Sequence, residues 1–190
     1  MTMRTLLSAA LAGALIAGAV PAAAQGVLYD KSRITCVSRQ MNVPVEARFR
    51  KFTAQIAFDP AKPESGKARF DIDTDSFDID NAEVNDEAKG KPWFDARTFP
   101  KATFVSSSIR ALGGGRFEVR GPLTIKGRTH EVTAPFTYKA DGATAIYDGA
   151  FTIRRLQFSI GEGAWKDTDT VADEVQIKFH IVAAAKPAAK

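Results

Sequence analysis

Alternation with a period of two runs through most of this chain, and it limits the fold more than any other feature. Ile34, Cys36 and Ser38 share a face in the first run. Phe52, Ala54, Ile56 and Phe58 share one in the next, opposite Lys51, Thr53 and Gln55. Ala68, Phe70 and Ile72 alternate with Arg69, Asp71 and Asp73, and one further run puts Ala102, Phe104 and Ser106 along one face and Thr103, Val105 and Ile109 mostly along the other. Then come Phe117, Val119, Gly121, Leu123 and Ile125; Val132, Ala134, Phe136 and Tyr138; and Ala145, Tyr147, Gly149, Phe151 and Ile153. The last run is Val175, Ile177, Phe179 and Ile181, opposite Gln176, Lys178 and His180. Side chains of a strand alternate between faces, so each run reads as a strand with one buried face, about eight strands in all.

Turn residues separate the runs. Asp59-Pro60 ends one strand, Gly113–Gly115 turns the chain, and Gly127 breaks it again. The short connections favour an all-β fold, an antiparallel sheet rolled on itself. One segment has helical character, residues 81–90, with Asn81 placed to cap it and Gly90 to close it. A barrel of about eight strands can be filled by its own side chains or hold one small ligand.

The first 24 residues stand apart. Arg4 precedes an apolar stretch at residues 6–20, Pro21 breaks it, and Ala22-Ala23-Ala24 offers a cleavage site. That is the pattern of a cleaved signal peptide, shorter than a membrane span. The expected address is the periplasm. Residues 25–184 then form a single domain, and residues 185–190 form a disordered tail.

Charge and chemistry exclude several classes. The formal net charge is +4, with Lys and Arg scattered among Asp and Glu, so no basic stripe points to nucleic acid. Transient contact with an anionic membrane surface is compatible with that charge. Cys36 is the only cysteine, so no internal disulfide forms, and its strand pattern makes it a small buried residue. His130 and His180 are the only histidines, and neither has a nucleophile arrangement beside it. "DIDTDSFDID" (residues 71–80) places Ser76 where a calcium loop needs Gly and Ala82 where it needs Glu, so the carboxylates read as a solvated strand face. No metal site, no catalytic residue and no cofactor is expected.

The stretch "KGKPWFDARTFPKATF" (residues 89–104) gathers Trp93, Phe94, Phe99 and Phe104 among Gly90, Pro92 and Pro100. Breakers can aim apolar side chains inward from irregular backbone. These aromatics are expected to fold over one end of the barrel, as a plug or a gate, with Asp95 fixing the turn. The expected lining of the interior is therefore Phe52, Ile56, Phe70, Ile72, Trp93, Phe94, Phe99, Phe104, Val119, Leu123, Ile125, Phe136, Phe151, Ile177 and Phe179. The small inward residues Ala54, Ala68, Gly121, Ala134 and Gly149 either leave free volume between the rings or are the small partners in tight packing.

Five segments in order resemble the YceI family over nearly all of residues 25–184. They are "IAFDPAKPESGKARFDIDTDSFDI", "WFDARTFPKATFVSSSI", "GRFEVRGPLTIKGRTHEVTAPF", "IRRLQFSIG" and "VADEVQIKFHIVA". The resemblance implies an exported, lipocalin-like barrel with a small helix. It implies a long apolar pocket for an isoprenoid or fatty chain, no catalytic residues, and in some members a homodimer. The chain departs from the family at "SRQMNVPVEARF", which lacks a His and carries Ala47 where Gly is common, and at "NDEAKGKPWFD". Both segments are expected near the pocket entrance, where a ligand's head group would lie. Two other readings compete with it, an enzyme on a lipid-like substrate and an outer-membrane barrel. The second would need longer strands with lipid-facing aromatic girdles.

Overall fold

The computed structural model describes residues 24–185. The expected leader (1–24) and tail (185–190) thus fall almost wholly outside the described residues. Within them one antiparallel sheet dominates. Its strands are β1 (Arg33–Gln40), β2 (Val43–Phe49), β3 (Phe52–Ala57), β4 (Lys67–Asp73), β5 (Phe77–Asp78), β6 (Lys101–Val105), β7 (Ser108–Gly113), β8 (Arg116–Ile125), β9 (Arg128–Asp141), β10 (Thr144–Arg154) and β11 (Glu174–Ala184). One helix, α1 (Ala82–Lys89), joins β5 to the segment before β6.

The order across the 11-stranded sheet is β3-β4-β6-β8-β9-β10-β11-β1-β2-β5, with β7 on the free part of β8. Four neighbouring pairs, β1-β2, β7-β8, β8-β9 and β9-β10, are joined by two-residue hairpins. Met41-Asn42 links β1 to β2 and Lys126-Gly127 links β8 to β9, each with both φ values positive. That is the two-residue geometry whose twist matches flanking strands. The sheet curls. Gln25 bridges to Ile56 in β3 and Val27 to Ala183 in β11, so the N-terminal segment stitches strands far apart in the order.

The strand count exceeds the eight expected, for three local reasons. Pro44 hides β2 in the sequence, yet Val45, Ala47 and Phe49 alternate with Pro44, Glu46 and Arg48. β5 is only two residues long and pairs with Arg48 and Phe49 at the end of β2. β6 and β7 read as one run, but the chain breaks between them. There Ser106 turns in, its N–H donating to Ala68 O at 2.8 Å and its hydroxyl accepting from Ala68 N at 2.8 Å.

Of the two roles open to the small inward residues, Gly121 and Gly149 take tight packing. A Cβ at Gly121 would collide with the carbonyl of Val105, and one at Gly149 with the Phe179 ring and the Pro135 carbonyl. They are small because strands and rings approach there.

The helix lies where the sequence placed it. Asn81 Oδ1 accepts from Val84 N at 3.2 Å as the N-cap. A carboxylate cluster holds α1 on the sheet. Asp78, 7 % exposed, accepts from Arg48 Nε and from Asn85 Nδ2 at 2.9 Å each, and Arg50 reaches it at 2.5 Å. Burial is the largest influence on this carboxyl and pushes its pKa up. The Asn85 amide, the Asp80 backbone N–H, Arg48 and Arg50 together outweigh it and hold the pKa at about 2. Because the folded pKa lies below the unfolded one, this group stabilises the fold above about pH 4, and the effect is lost as pH falls toward about 2. Asp78→Asn should therefore flatten the acid limb: melting temperatures at pH 5 and pH 2.5 should differ less in the variant than in the parent. An unchanged difference would mean that the cluster does not set acid stability.

Candidate functional site

The curled sheet encloses a cavity of about 530 Å³, within the roughly 300–1,000 Å³ of small-molecule sites. Strand alternation builds its wall. β1 presents Ile34 and Cys36, β4 presents Ala68, Phe70 and Ile72, and β6 presents Ala102 and Phe104. β8 adds Val119, Leu123 and Ile125; β9 adds Val132, Ala134 and Phe136. β10 adds Tyr147, Phe151 and Ile153, and β11 adds Val175, Ile177, Phe179 and Ile181. Phe70, Phe104, Phe151, Ile177 and Phe179 line this wall yet are only half-buried. Their inward faces are not covered by other side chains, so the interior is not self-filled.

Of the residues named from the sequence, all but Phe52 and Phe99 line the cavity. Phe52 starts β3 and packs edge-on against Tyr29 at 5.5 Å, outside the wall. Phe99 lies beside Gly127 of the β8–β9 turn, 3.0 Å from where a Cβ would sit. Ala54 is buried but does not line the cavity, whereas Ala68 and Ala134 do. The sequence reading missed Val45, Phe49, Phe77, Val84 and Trp165. Only Val45 and Phe49 carried a readable signal, the alternation of β2.

The two ends of the cavity differ. One is packed with rings: Phe58 meets Phe117 at 5.0 Å and Phe136 at 5.7 Å, and Tyr138 meets Tyr147 at 5.5 Å. There Tyr147 Oη donates to Gln25 Oε1 at 2.6 Å, and burial pushes the Tyr147 hydroxyl pKa up. At the other end the lining includes exposed residues, Gln40 of β1 and Glu83, Val84 and Glu87 of α1, so the cavity reaches the surface there.

The aromatic segment after α1 shapes this mouth. The last helical carbonyls lack intrahelical partners. Phe94 N donates to Ala88 O and Ala96 N to Lys89 O, at 3.0 Å each, while Trp93 N and Asp95 N both reach Gly90 O. Asp95 has φ +45° and holds the turn, its Oδ1 accepting from Thr98 Oγ1 at 3.0 Å. This wrap leaves Phe94 against Phe49 at 5.8 Å and Phe77 at 5.4 Å. It also leaves Trp93 against Trp165 at 5.5 Å. Trp165 Nε1 donates to Glu87 Oε1 at 3.0 Å. The Trp93 Nε1 is buried with no partner, the one such side-chain atom among the described residues.

Arg155, 2 % exposed, locks the loops behind Trp93. Its Nε donates to Ala172 O, Nη1 to Ile160 O and Gly161 O, and Nη2 to Trp165 O and Val171 O, between 2.7 and 3.1 Å. All five N–H groups of a guanidinium are thereby used. Burial lowers its pKa, opposed by nearby Asp173. The Arg155 Cζ also lies 5.8 Å from the Trp93 ring centre.

The carboxylates of residues 71–80 are dispersed. Asp71 pairs with Arg69 and Thr103, and Asp73 caps a turn at Asp75 N. Among the described residues no group of three or more His, Cys, Asp or Glu could hold a metal ion. His130 Nε2 lies 3.1 Å from Gln157 O, and His180 Nδ1 lies 2.5 Å from Asp148 Oδ1, both away from the cavity lining.

Arg155→Lys should be strongly destabilising, because three donors cannot replace a five-donor fork and buried carbonyls lose their partners. A loss of roughly 3 kcal/mol or more is expected in denaturant unfolding. A loss below about 1 kcal/mol would show that the five contacts are not what holds the loops.

Solved structures share this architecture. The crystal structure of Burkholderia cenocepacia BcnA is 53% identical, with a TM-score of 0.82 over 83% of this chain and 99% of that one. A polyisoprenoid binding domain from Saccharophagus degradans, implicated in plant cell wall breakdown, is 14% identical with a TM-score of 0.67, over 86% of this chain and 99% of that one. A UPF0312 protein of Azotobacter vinelandii is 25% identical over 187 residues, 93% of this chain and 95% of the relative. Residues 27–183 match the profile of the YceI-like domain, and the chain belongs to that family.

Proposed function

We propose that this protein binds one long hydrophobic lipid in its barrel and sequesters or carries it without chemical change. The ligand is a polyisoprenoid, an isoprenoid quinone, or a fatty-acyl or fatty-amide chain. The observation that carries this reading is the wall of inward, half-covered Phe and Ile side chains around an enclosed space with one mouth. Burying an alkyl chain gains about 0.8 kcal/mol per CH₂, enough to hold a long chain after the ordering costs of binding. The polyisoprenoid binding domain of similar fold supports the same ligand class.

Carriage without catalysis fits the chemistry of the lining. Burial chiefly, then the charge of Glu46, pushes the Cys36 thiol up to about 12 against a backbone hydrogen bond that lowers it. Tyr147 is likewise held protonated, and Arg155 has no free donor. None of the three is poised to exchange a proton near neutral pH. Export to the periplasm, proposed from residues 1–24, would place the carrier between two membranes, and the exposed mouth would meet a membrane surface only transiently.

Ala68→Leu tests the reading. Ala68 is half-buried on the cavity wall, so a larger side chain there enters the empty space. The parent should take up a fluorescent long-chain fatty ester saturably, and the variant should bind it at least several-fold more weakly with an unchanged or higher melting temperature. No uptake by the parent would contradict the proposal. So would a variant that keeps full uptake and loses the roughly 1–3 kcal/mol of an overpacked core.

A further inference from the structure

Apolar side chains stand in water beside the mouth. Met41, 70 % exposed, and Val43, 61 % exposed, are the two most exposed large hydrophobic residues among those described. Both belong to the hairpin between β1 and β2, and Gln40 and Val45 on either side of them line the cavity. Gln40 bridges to Val171, and Met41 N donates to Thr170 O at 3.0 Å. The tip is thereby fixed to the loop carrying Trp165 and Val171, which both line the cavity. On α1, Val84 lines the cavity and is exposed as well.

Turn geometry does not call for a methionine here. Met41 has φ +46° and Asn42 φ +65°, the left-handed pair of a tight hairpin, for which Asn, Asp and Gly are the fitting residues. A long apolar side chain at this position costs both backbone strain and contact with water. Residues held in this region against their preference cluster at functional sites.

The surroundings narrow the partner. β5 pairs only with Arg48 and Phe49 of β2, but Pro44 has no N–H to give a further strand, and proline on an edge discourages pairing with another copy of the chain. Charge near the tip is mixed. Arg39 Nη1 donates to Asn42 O at 3.4 Å and Lys166 is exposed, against exposed Asp167 and Asp169. The tip thus presents no field of one sign to a charged partner. An apolar tip without a charge bias, at the opening of an apolar cavity, matches the surface of a neutral bilayer.

We propose that the β1–β2 hairpin is a bilayer contact: Met41 and Val43 enter the headgroup layer of a zwitterionic phospholipid surface and hold the mouth against it while a lipid passes. This deepens the lipid-binding reading and rests on it. Two side chains of this size bury too little surface for a lasting anchor, so the contact is brief and repeatable.

Delivery of the fluorescent ester by two routes tests the contact. In one route the ester is embedded in phosphatidylcholine–phosphatidylethanolamine vesicles. In the other it is added from a cyclodextrin complex with no membrane present. Met41→Asp/Val43→Asp should bind the cyclodextrin-delivered ester within about two-fold of the parent but extract it from vesicles roughly ten-fold more slowly, the scale of withdrawing one such side chain from apolar surroundings. The parent should float with empty vesicles and the double variant should not. Met41→Asn is the second variant: asparagine suits the turn, so the melting temperature should hold or rise while extraction slows.

Equal extraction rates in the parent and both variants would overturn the proposal, as would extraction by the parent from anionic vesicles alone. A dimeric parent and a monomeric double variant that extracts at the parent's rate would reassign the tip to contact between copies. If the parent takes up no cyclodextrin-delivered ester, the lipid-binding reading fails, and flotation still judges the tip: a parent that does not float overturns the contact.

Discussion

An antiparallel sheet with one continuous apolar face must hide that face from water, and here it does so by curling around a space of its own. No second layer covers it among the described residues; the only helix, α1, sits over one end. The curl sets the character of the interior. Side chains from opposite walls point toward one another across it, and rings such as Phe70, Phe104, Phe151 and Phe179 stay half-covered. Apolar surface left in that state is a standing affinity for any apolar chain that can reach it.

Reaching it is a matter of how the two ends are built. The closed end is a cluster of six-membered rings around Phe58, sealed by the hydrogen bond from Tyr147 to Gln25. The open end is made largely from irregular backbone, held by polar contacts as well as by the packing of Trp93 and Phe94. Asp78 ties β2, β5 and α1 together through Arg48, Arg50 and Asn85. Arg155 ties the carbonyls of residues 160–172 into one unit, and Pro92 O accepts from both Gly161 N and Glu162 N at 2.8 Å, joining that unit to the aromatic segment. The mouth is thus a rigid frame around Trp93.

The range of each interaction decides how much of this is legible in the sequence. Period-two alternation is local, so the wall residues from Ile56 to Phe179 can be read one strand at a time. The Asn81 cap and the turn at Asp95 are also local, and both are legible. Pro44 obscures β2, although proline is tolerated in strands at positions that donate no ladder hydrogen bond. Gly121 and Gly149 stay ambiguous in the sequence because an inward small residue looks the same whether it opens space or admits a neighbouring strand. Phe99 misleads because nothing in "TFPKATF" shows which side of the turn its ring takes. Arg155 enters the sequence reading only as part of "IRRLQFSIG", with no sign of its role: its partners are backbone carbonyls as many as 17 residues away, and carbonyls have no letter in a sequence.

The central claim is that the space inside the sheet belongs to a lipid. Native mass spectrometry of the protein purified from its own source, without detergent, addresses that claim most directly. The account predicts a 1:1 adduct of several hundred daltons that is lost on organic extraction and yields a long-chain lipid in the extract. A protein found only at its unmodified mass, before and after incubation with isoprenoid or fatty-chain lipids, would contradict it.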